Sequence, residues 1–489
     1  MDVPAYAGSR GSAWNAGPGP GSAERPSDTG LIGLGLLMQL SGSLLLALYA
    51  ANAFAAALAA WSSHGAGAGW LFWAHVGAAV RAVFLRRAGT ALVYGAPAGW
   101  RRPALQYVAV GALESLWSVV VVRHLPGVSA VAGANAGFVV LGVLATSLAW
   151  PAVVAFAVTR PRYRTAPAGR GADGRDAAAV LMTVFGALGL VGAATLMFVA
   201  GYAVVAEGWR AAPAGAVVVL AVLCARSWRH VRAGYVGLTH GAYGDAFADW
   251  AERYASFGVA SSLLVGAGLF AVLGPAGGSG LAPPMMLGFG IAAGYALLAW
   301  PLIVRRFLRD RRMDVAVGDG GESSAAHPAD GGLAALGWLL VALGVPSLVE
   351  QLTALLFDGG QPGALAVTPV FPQAEPAAAG GIVAYLELAA SAVQVWAGAS
   401  LVTASPRRRS AVIWYAVGHL GVAAYLVVRA LGSQPLRDVV ANASPSTWVA
   451  VAAPVLISLV LPLTTLWLAV LRRDDFAAAR VVRGAVPPA

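Results

Sequence analysis

The chain has 489 residues, 58% of them apolar and only 11% charged, and its net charge of +10 comes from 32 basic residues that are all arginine. Soluble domains carry about 25% charged residues, so the composition excludes a soluble enzyme, and the scattered arginines exclude a nucleic-acid surface. A single cysteine, Cys224, excludes a disulfide framework and a cysteine-based metal site.

Residues 1–30 are rich in Gly, Pro, Ser and Ala and are expected to form a disordered cytoplasmic tail. Four apolar spans follow at 31–54, 69–93, 104–123 and 136–158, forming a first unit over 31–160. A second unit over 174–309 holds spans at 177–205, 214–238, 254–274 and 282–304. A polar stretch, 310–331, reads as a cytoplasmic linker. The third unit, 332–473, holds spans at 332–357, 380–403, 410–431 and 447–471, and 474–489 forms a second tail. The stretch from Phe357 to Gly380, with four prolines, reads as the longest external loop. Each span approaches or exceeds the roughly 20 residues that cross a bilayer. The expected fold is therefore all-α, a polytopic integral membrane protein of twelve transmembrane helices.

The twelve spans repeat in fours. Leu-Ala-Trp-Pro at Leu148–Pro151 recurs at Leu298–Pro301, and Pro462 takes the same place in the third unit. In the first helices Gly42, Gly189 and Gly344 are aligned. In the second helices Arg87-Ala88-Gly89 matches Arg232-Ala233-Gly234 and Trp396-Ala397-Gly398. In the third, Tyr107 and Gly111 match Tyr254 and Gly258, then Trp414 and Gly418. An even number of crossings gives all three units one orientation, so the expected arrangement is three parallel four-helix repeats about a pseudo-threefold axis. That axis could be a pore, a lipid-filled cleft or a packed seam.

Apart from Arg81 and Arg226, all arginines but Arg123, Arg210, Arg429 and Arg437 fall on one side. Such a bias places both termini in the cytoplasm. The lysine-free, Ala- and Gly-rich composition points to a bacterial plasma (inner) membrane.

Ionisable groups inside spans are the functional leads, because each is costly in hydrocarbon unless paired or hydrated. Arg81 and Arg226 share one repeat position, and Glu114 lies on the next helix at a depth similar to Arg81, roughly 12 to 15 Å from the cytoplasmic end. The third unit has Ala390 in place of the arginine but carries Glu350, Gln351 and Glu387 toward the outer side. These six, Arg81, Glu114, Arg226, Glu350, Gln351 and Glu387, form the candidate intramembrane polar site, with Glu350 and Glu387 as an ion-linked pair. Pro151, Pro301 and Pro462 remove a backbone donor midway through each fourth helix and are candidate hinges.

Twelve helices in four-helix arcs resemble, in topology only, the large subunit of haem-copper oxidases. Haem and copper ligation needs several intramembrane histidines, whereas only His75 and His419 lie clearly within spans, so no cofactor and no metal are expected. The sequence holds no P-loop, nucleophile elbow, His-Glu-x-x-His or Cys-x-x-Cys, and no interhelical segment long enough to bury a soluble catalytic core. The expected partners are the lipid bilayer and a small solute or ion, with no nucleic acid. Size and intramembrane charge point to a permease or channel-like transporter, with a structural, assembly or sensory scaffold as the alternative. A membrane enzyme acting on lipid or quinone would need a fuller polar cluster.

Overall fold

The computed structural model describes residues 29–63, 66–94, 99–124, 136–159, 172–207, 211–240, 245–273, 283–309, 330–357, 380–403, 405–432 and 445–471. The expected tails, most of the 310–331 linker and the 358–379 loop lie outside these residues, as does the side chain of Glu350.

The described residues form twelve α-helices. In chain order they are α1 (Thr29–Ser63), α2 (Ala66–Tyr94), α3 (Arg101–His124), α4 (Ala136–Thr159), α5 (Ala172–Glu207), α6 (Ala211–His240), α7 (Asp245–Leu273), α8 (Pro283–Arg309), α9 (Asp330–Phe357), α10 (Gly380–Val402), α11 (Arg408–Gly432) and α12 (Pro445–Leu471). In hydrocarbon every backbone N–H and C=O must find a partner within the segment, which leaves helices as the solution for chains this apolar. Buried hydroxyls obey the same constraint by bonding back along their own helix, as Ser43 does to the Gln39 carbonyl (2.8 Å) and Ser115 to the Gly111 carbonyl (2.7 Å).

Among the described residues, nine helices are long and apolar enough to cross a membrane: α1, α2, α3, α5, α6, α8, α9, α10 and α11. The chain is a multi-pass membrane protein. Among the described side chains, α4 and α12 add the apolar stretches Ser147–Thr159 and Val455–Leu471. Helix α7 opens on Asp245, Asp249, Glu252 and Arg253, which lowers its apolar content.

Consecutive helices pack side by side within three sets of four, α1–α4, α5–α8 and α9–α12. The sets then join in a ring, with α4 against α9, α8 against α1 and α12 against α5. The first helix of each set meets the other two at the centre.

The starts of these central helices are buried on every side. Each residue from Leu31 to Leu40, from Asp176 to Val184 and from Gly332 to Leu340 is buried, which a helix achieves only when neighbours cover its whole circumference. This arginine-rich end is therefore a dry, packed seam rather than a pore. Toward their far ends the same helices leave Leu48, Phe198, Val205 and Leu352 exposed.

Glycine sets the spacing within each set. A Cβ on Gly89 would lie 2.6 Å from the backbone N of Gln39, one on Gly234 would lie 2.6 Å from the N of Thr183, and one on Gly398 would lie 2.6 Å from the carbonyl O of Gly337. Such backbone-to-backbone approach is what small residues allow in membrane helices. A Cβ on Gly42 would meet the Arg86 N at 2.6 Å and one on Gly186 would meet the Val231 N at 2.6 Å, whereas one on Gly189 would meet the Ser227 side chain. Gly186 rather than Gly189 thus makes the kind of backbone contact that Gly42 makes. Likewise Tyr107, Tyr254 and Tyr415 are all buried, while Trp414 is 64% exposed.

One clip joins two sets. The backbone N–H of Gly332, in the first turn of α9, donates to Asp176 Oδ2 on α5 at 2.9 Å, satisfying one of the amides that a helix start leaves open.

Candidate functional site

Arg81, on the middle of α2, reaches two neighbouring helices. Its Nη1 donates to Glu114 Oε2 on α3 at 2.8 Å, and its Nη2 donates to the carbonyl of Ser147 on α4 at 2.6 Å. The pair is 18% and 9% exposed. Glu114 uses its second oxygen to accept from Ser118 Oγ at 2.8 Å. The carboxylate therefore faces a guanidinium and a hydroxyl, which is what burial of a charge requires.

The choice of carbonyl follows from the sequence. Ser147 lies four residues before Pro151, and a proline has no N–H to give the carbonyl of residue i−4. Arg81 supplies the donor that Pro151 withholds. The second set repeats the device: Arg226 Nη1 donates to Ser262 Oγ at 2.8 Å, and its Nη2 donates to the carbonyl of Leu297, four residues before Pro301. The proline rings sit against glycines, since a Cβ on Gly111 would meet Pro151 Cγ at 2.6 Å and one on Gly258 would meet Pro301 Cγ at 2.7 Å. A carbonyl already held by a guanidinium offers little to a ligand.

The second set adds a closed aromatic group. Trp300 Nε1 donates to His230 Nε2 at 2.7 Å, and the His230 ring stacks on Tyr254 with centroids 4.2 Å apart. In the first set, His75 stacks against Tyr49 at 6.2 Å.

The third set is built differently. Ala390, at the arginine position, packs with Val383, Val422 and Leu426 in a small apolar cluster. Polar groups instead line the seam between α9 and α10. Leu340 accepts from Gln394 Nε2 at 3.2 Å, and Ser347 Oγ lies 2.9 Å from Ser391 Oγ. Residue numbers rise on α9 as they fall on α10, so the next turn brings Gln351 opposite Glu387. Gln351 is completely buried and Glu387 is 3% exposed. Neither Nε2 nor Oε1 of Gln351 has a hydrogen-bond partner among the described residues. An unmet buried amide costs about 1 to 3 kcal/mol, so its retention calls for an account. On α11, His419 Nδ1 lies 3.2 Å from the Tyr415 carbonyl.

The six candidate residues thus fall into three places. Arg81 and Glu114 meet, Arg226 stands in a separate set with Ser262, and Gln351 and Glu387 share the α9–α10 seam; the Glu350 side chain lies outside the described residues. Sequence reasoning missed Ser347, Ser391 and Gln394. Their signal is helical spacing: 347 with 351, and 387 with 391 and 394, put polar groups on one face of otherwise apolar helices. It also missed Pro346, whose ring interrupts the backbone ladder of α9 directly before Ser347. Among the described residues no group of three or more His, Cys, Asp or Glu side chains converges.

The chain matches no known family, no curated protein and no solved structure in these comparisons.

Proposed function

We propose that the protein is a permease of a bacterial plasma membrane, with an ion-linked site in its third four-helix unit. In this reading the three sets are parallel repeats about a pseudo-threefold axis, all twelve helices cross the bilayer and both termini are cytoplasmic. Pro151 and Pro301 are pinned kinks rather than working hinges, because arginine holds the carbonyls they free. Among the described residues Pro462 has no such arginine, which leaves α12 the candidate hinge.

The observation that carries the reading is Gln351. Its carboxamide is fully buried in a polar seam with both ends unbonded among the described residues, while Arg81, Glu114 and Arg226 in the first two sets are hydrogen-bonded to neighbouring helices. Buried polar groups in membrane helices are retained at a cost and mark pathways for ions and solutes. Pro346 supports it, since a proline inside the helix has no N–H to give the carbonyl of Ala342 and so frees an oxygen beside the polar seam.

The test is ion movement in proteoliposomes under an imposed membrane potential, read with an internal pH- or sodium-sensitive dye. Wild-type protein should dissipate the gradient and Glu387→Gln should not, while Glu114→Gln keeps the flux. Flux no greater than in protein-free vesicles would leave the scaffold reading, which the packed seam of α1, α5 and α9 favours.

A further inference from the structure

We infer that the α9–α10 seam binds a single desolvated sodium ion, held by Gln351 Oε1, the Glu387 carboxylate and the hydroxyl oxygens of Ser347 and Ser391. The inference rests on the permease reading of that seam and names its ion.

The donor set argues for a hard cation. All four side chains offer oxygen, the ligand type that hard cations take, and no thiol stands among them. Their order along the helices is right for one site: Ser347 and Ser391 touch at 2.9 Å, and Gln351 and Glu387 follow one turn further along the same facing surfaces. A cation between these two turns would collect oxygens from both helices at one level.

Charge argues for one positive unit. Glu387 brings a carboxylate to the seam, and a monovalent cation adds the least charge to a buried site, whereas a divalent ion adds twice that with the desolvation cost it entails. Size argues against an organic solute at this position, because Gln351, Ser347, Glu387 and Ser391 are all buried at 3% exposure or less. Space between two touching helices suits an ion.

A proton alone does less. Placed on Glu387 it neutralises the carboxylate but brings nothing to Gln351. A cation takes Gln351 Oε1 as a ligand and orients the amide so that its Nε2 donates to the carboxylate. The buried carboxamide then has both a ligand role and a bond.

The test is a binding measurement that needs no transport. Purified full-length protein in detergent is melted in sodium chloride and in choline chloride at equal ionic strength. A ligand that binds only the native state raises the melting temperature with the logarithm of its concentration once above Kd. Sodium should do this in wild type and in Glu114→Gln. Ser391→Ala, a small change that keeps the helix, should shift the response to at least tenfold higher sodium, and Gln351→Leu should abolish it. No difference between sodium and choline in wild type overturns the inference. So does an undiminished sodium response in both Ser391→Ala and Gln351→Leu, because the ion then binds elsewhere. Either result leaves the vesicle flux measurement to decide separately whether the protein is a permease.

Discussion

Arg81 donates 2.6 Å to the carbonyl of Ser147, the one carbonyl that Pro151 leaves without its helical amide. Arg226 stands in the same relation to Leu297 and Pro301. An arginine on the second helix and a proline on the fourth therefore act as a unit, and the arginine's remaining donor holds α3, through Glu114 in the first set and Ser262 in the second. The third set holds Ala390 in an apolar cluster and buries a different polar group elsewhere. Four expectations follow for stability, and one for access to the third set.

Arg81 and Glu114 should be energetically coupled. Removing one member of a buried pair typically costs about 3 to 5 kcal/mol because the other is left charged. Arg81→Gln should cost more than Glu114→Gln, since it also abandons the Ser147 carbonyl. The double variant should be less destabilised than the sum of the two, as read by denaturation in detergent. Additive losses would mean that the pair contributes no coupling.

The proline and arginine of one set should also be coupled. In a Pro301→Ala background the residue at 301 has its own N–H for the Leu297 carbonyl, so the share of Arg226 bonding that serves that carbonyl becomes redundant. Arg226→Met should then cost about 1.5 to 3 kcal/mol less than it does beside Pro301, the usual range for a hydrogen bond from a charged group. An unchanged cost in the same denaturation measurement would show that the carbonyl bond contributes nothing.

Gly234 and Gly418 should answer oppositely to alanine. A Cβ on Gly234 meets the Thr183 N at 2.6 Å and must push α5 and α6 apart, whereas Gly418 has no atom within 4 Å. Overpacking of this kind costs about 1 to 3 kcal/mol, while Gly→Ala in an open helix position gains up to about 1 kcal/mol in propensity. Comparing the melting temperatures of the two variants tests this contrast.

How much of this was legible in the sequence depends on the kind of signal. The apolar runs and the recurring Trp-Pro give the helix order, because hydrophobicity and proline act locally. Matched depth on adjacent helices brings Arg81 to Glu114 for the same reason. Alignment of glycines is weaker: with 61 glycines in the chain, Gly186 and Gly189 are one turn apart and equally plausible until backbone contacts choose between them. The Trp414–Tyr415 doublet is ambiguous in the same way, since both are large aromatics and only burial tells which faces inward. The link from Asp176 to Gly332 spans 156 positions and has no local pattern at all. The polar face of α10 was readable from spacing, but single serines in an apolar helix usually just bond back to their own backbone.

That link carries an expectation of its own. Asp176→Ala should destabilise the protein by about 0.5 to 2 kcal/mol, the range for losing a helix-capping side chain. Gly332→Ala should be at least as harmful, because its Cβ would fall 2.3 Å from Asp176 Oδ2. In the Asp176→Ala background the Gly332→Ala penalty should shrink, and a thermal melt of the four proteins reads the difference.

The central claim is that the polar seam of the third set is reached from water while the seam of α1, α5 and α9 is not. Cys224 is the sole cysteine, so a Cys224→Ser background makes substituted-cysteine labelling direct. In membrane vesicles, Ser391→Cys should be modified by silver ion, a thiol-reactive monovalent cation close in size to sodium, and Leu336→Cys, buried in the central seam, should not. Reaction at 391 well above the rate at 336 is the result expected. Equal inertness at both positions, with the protein folded, would contradict the account.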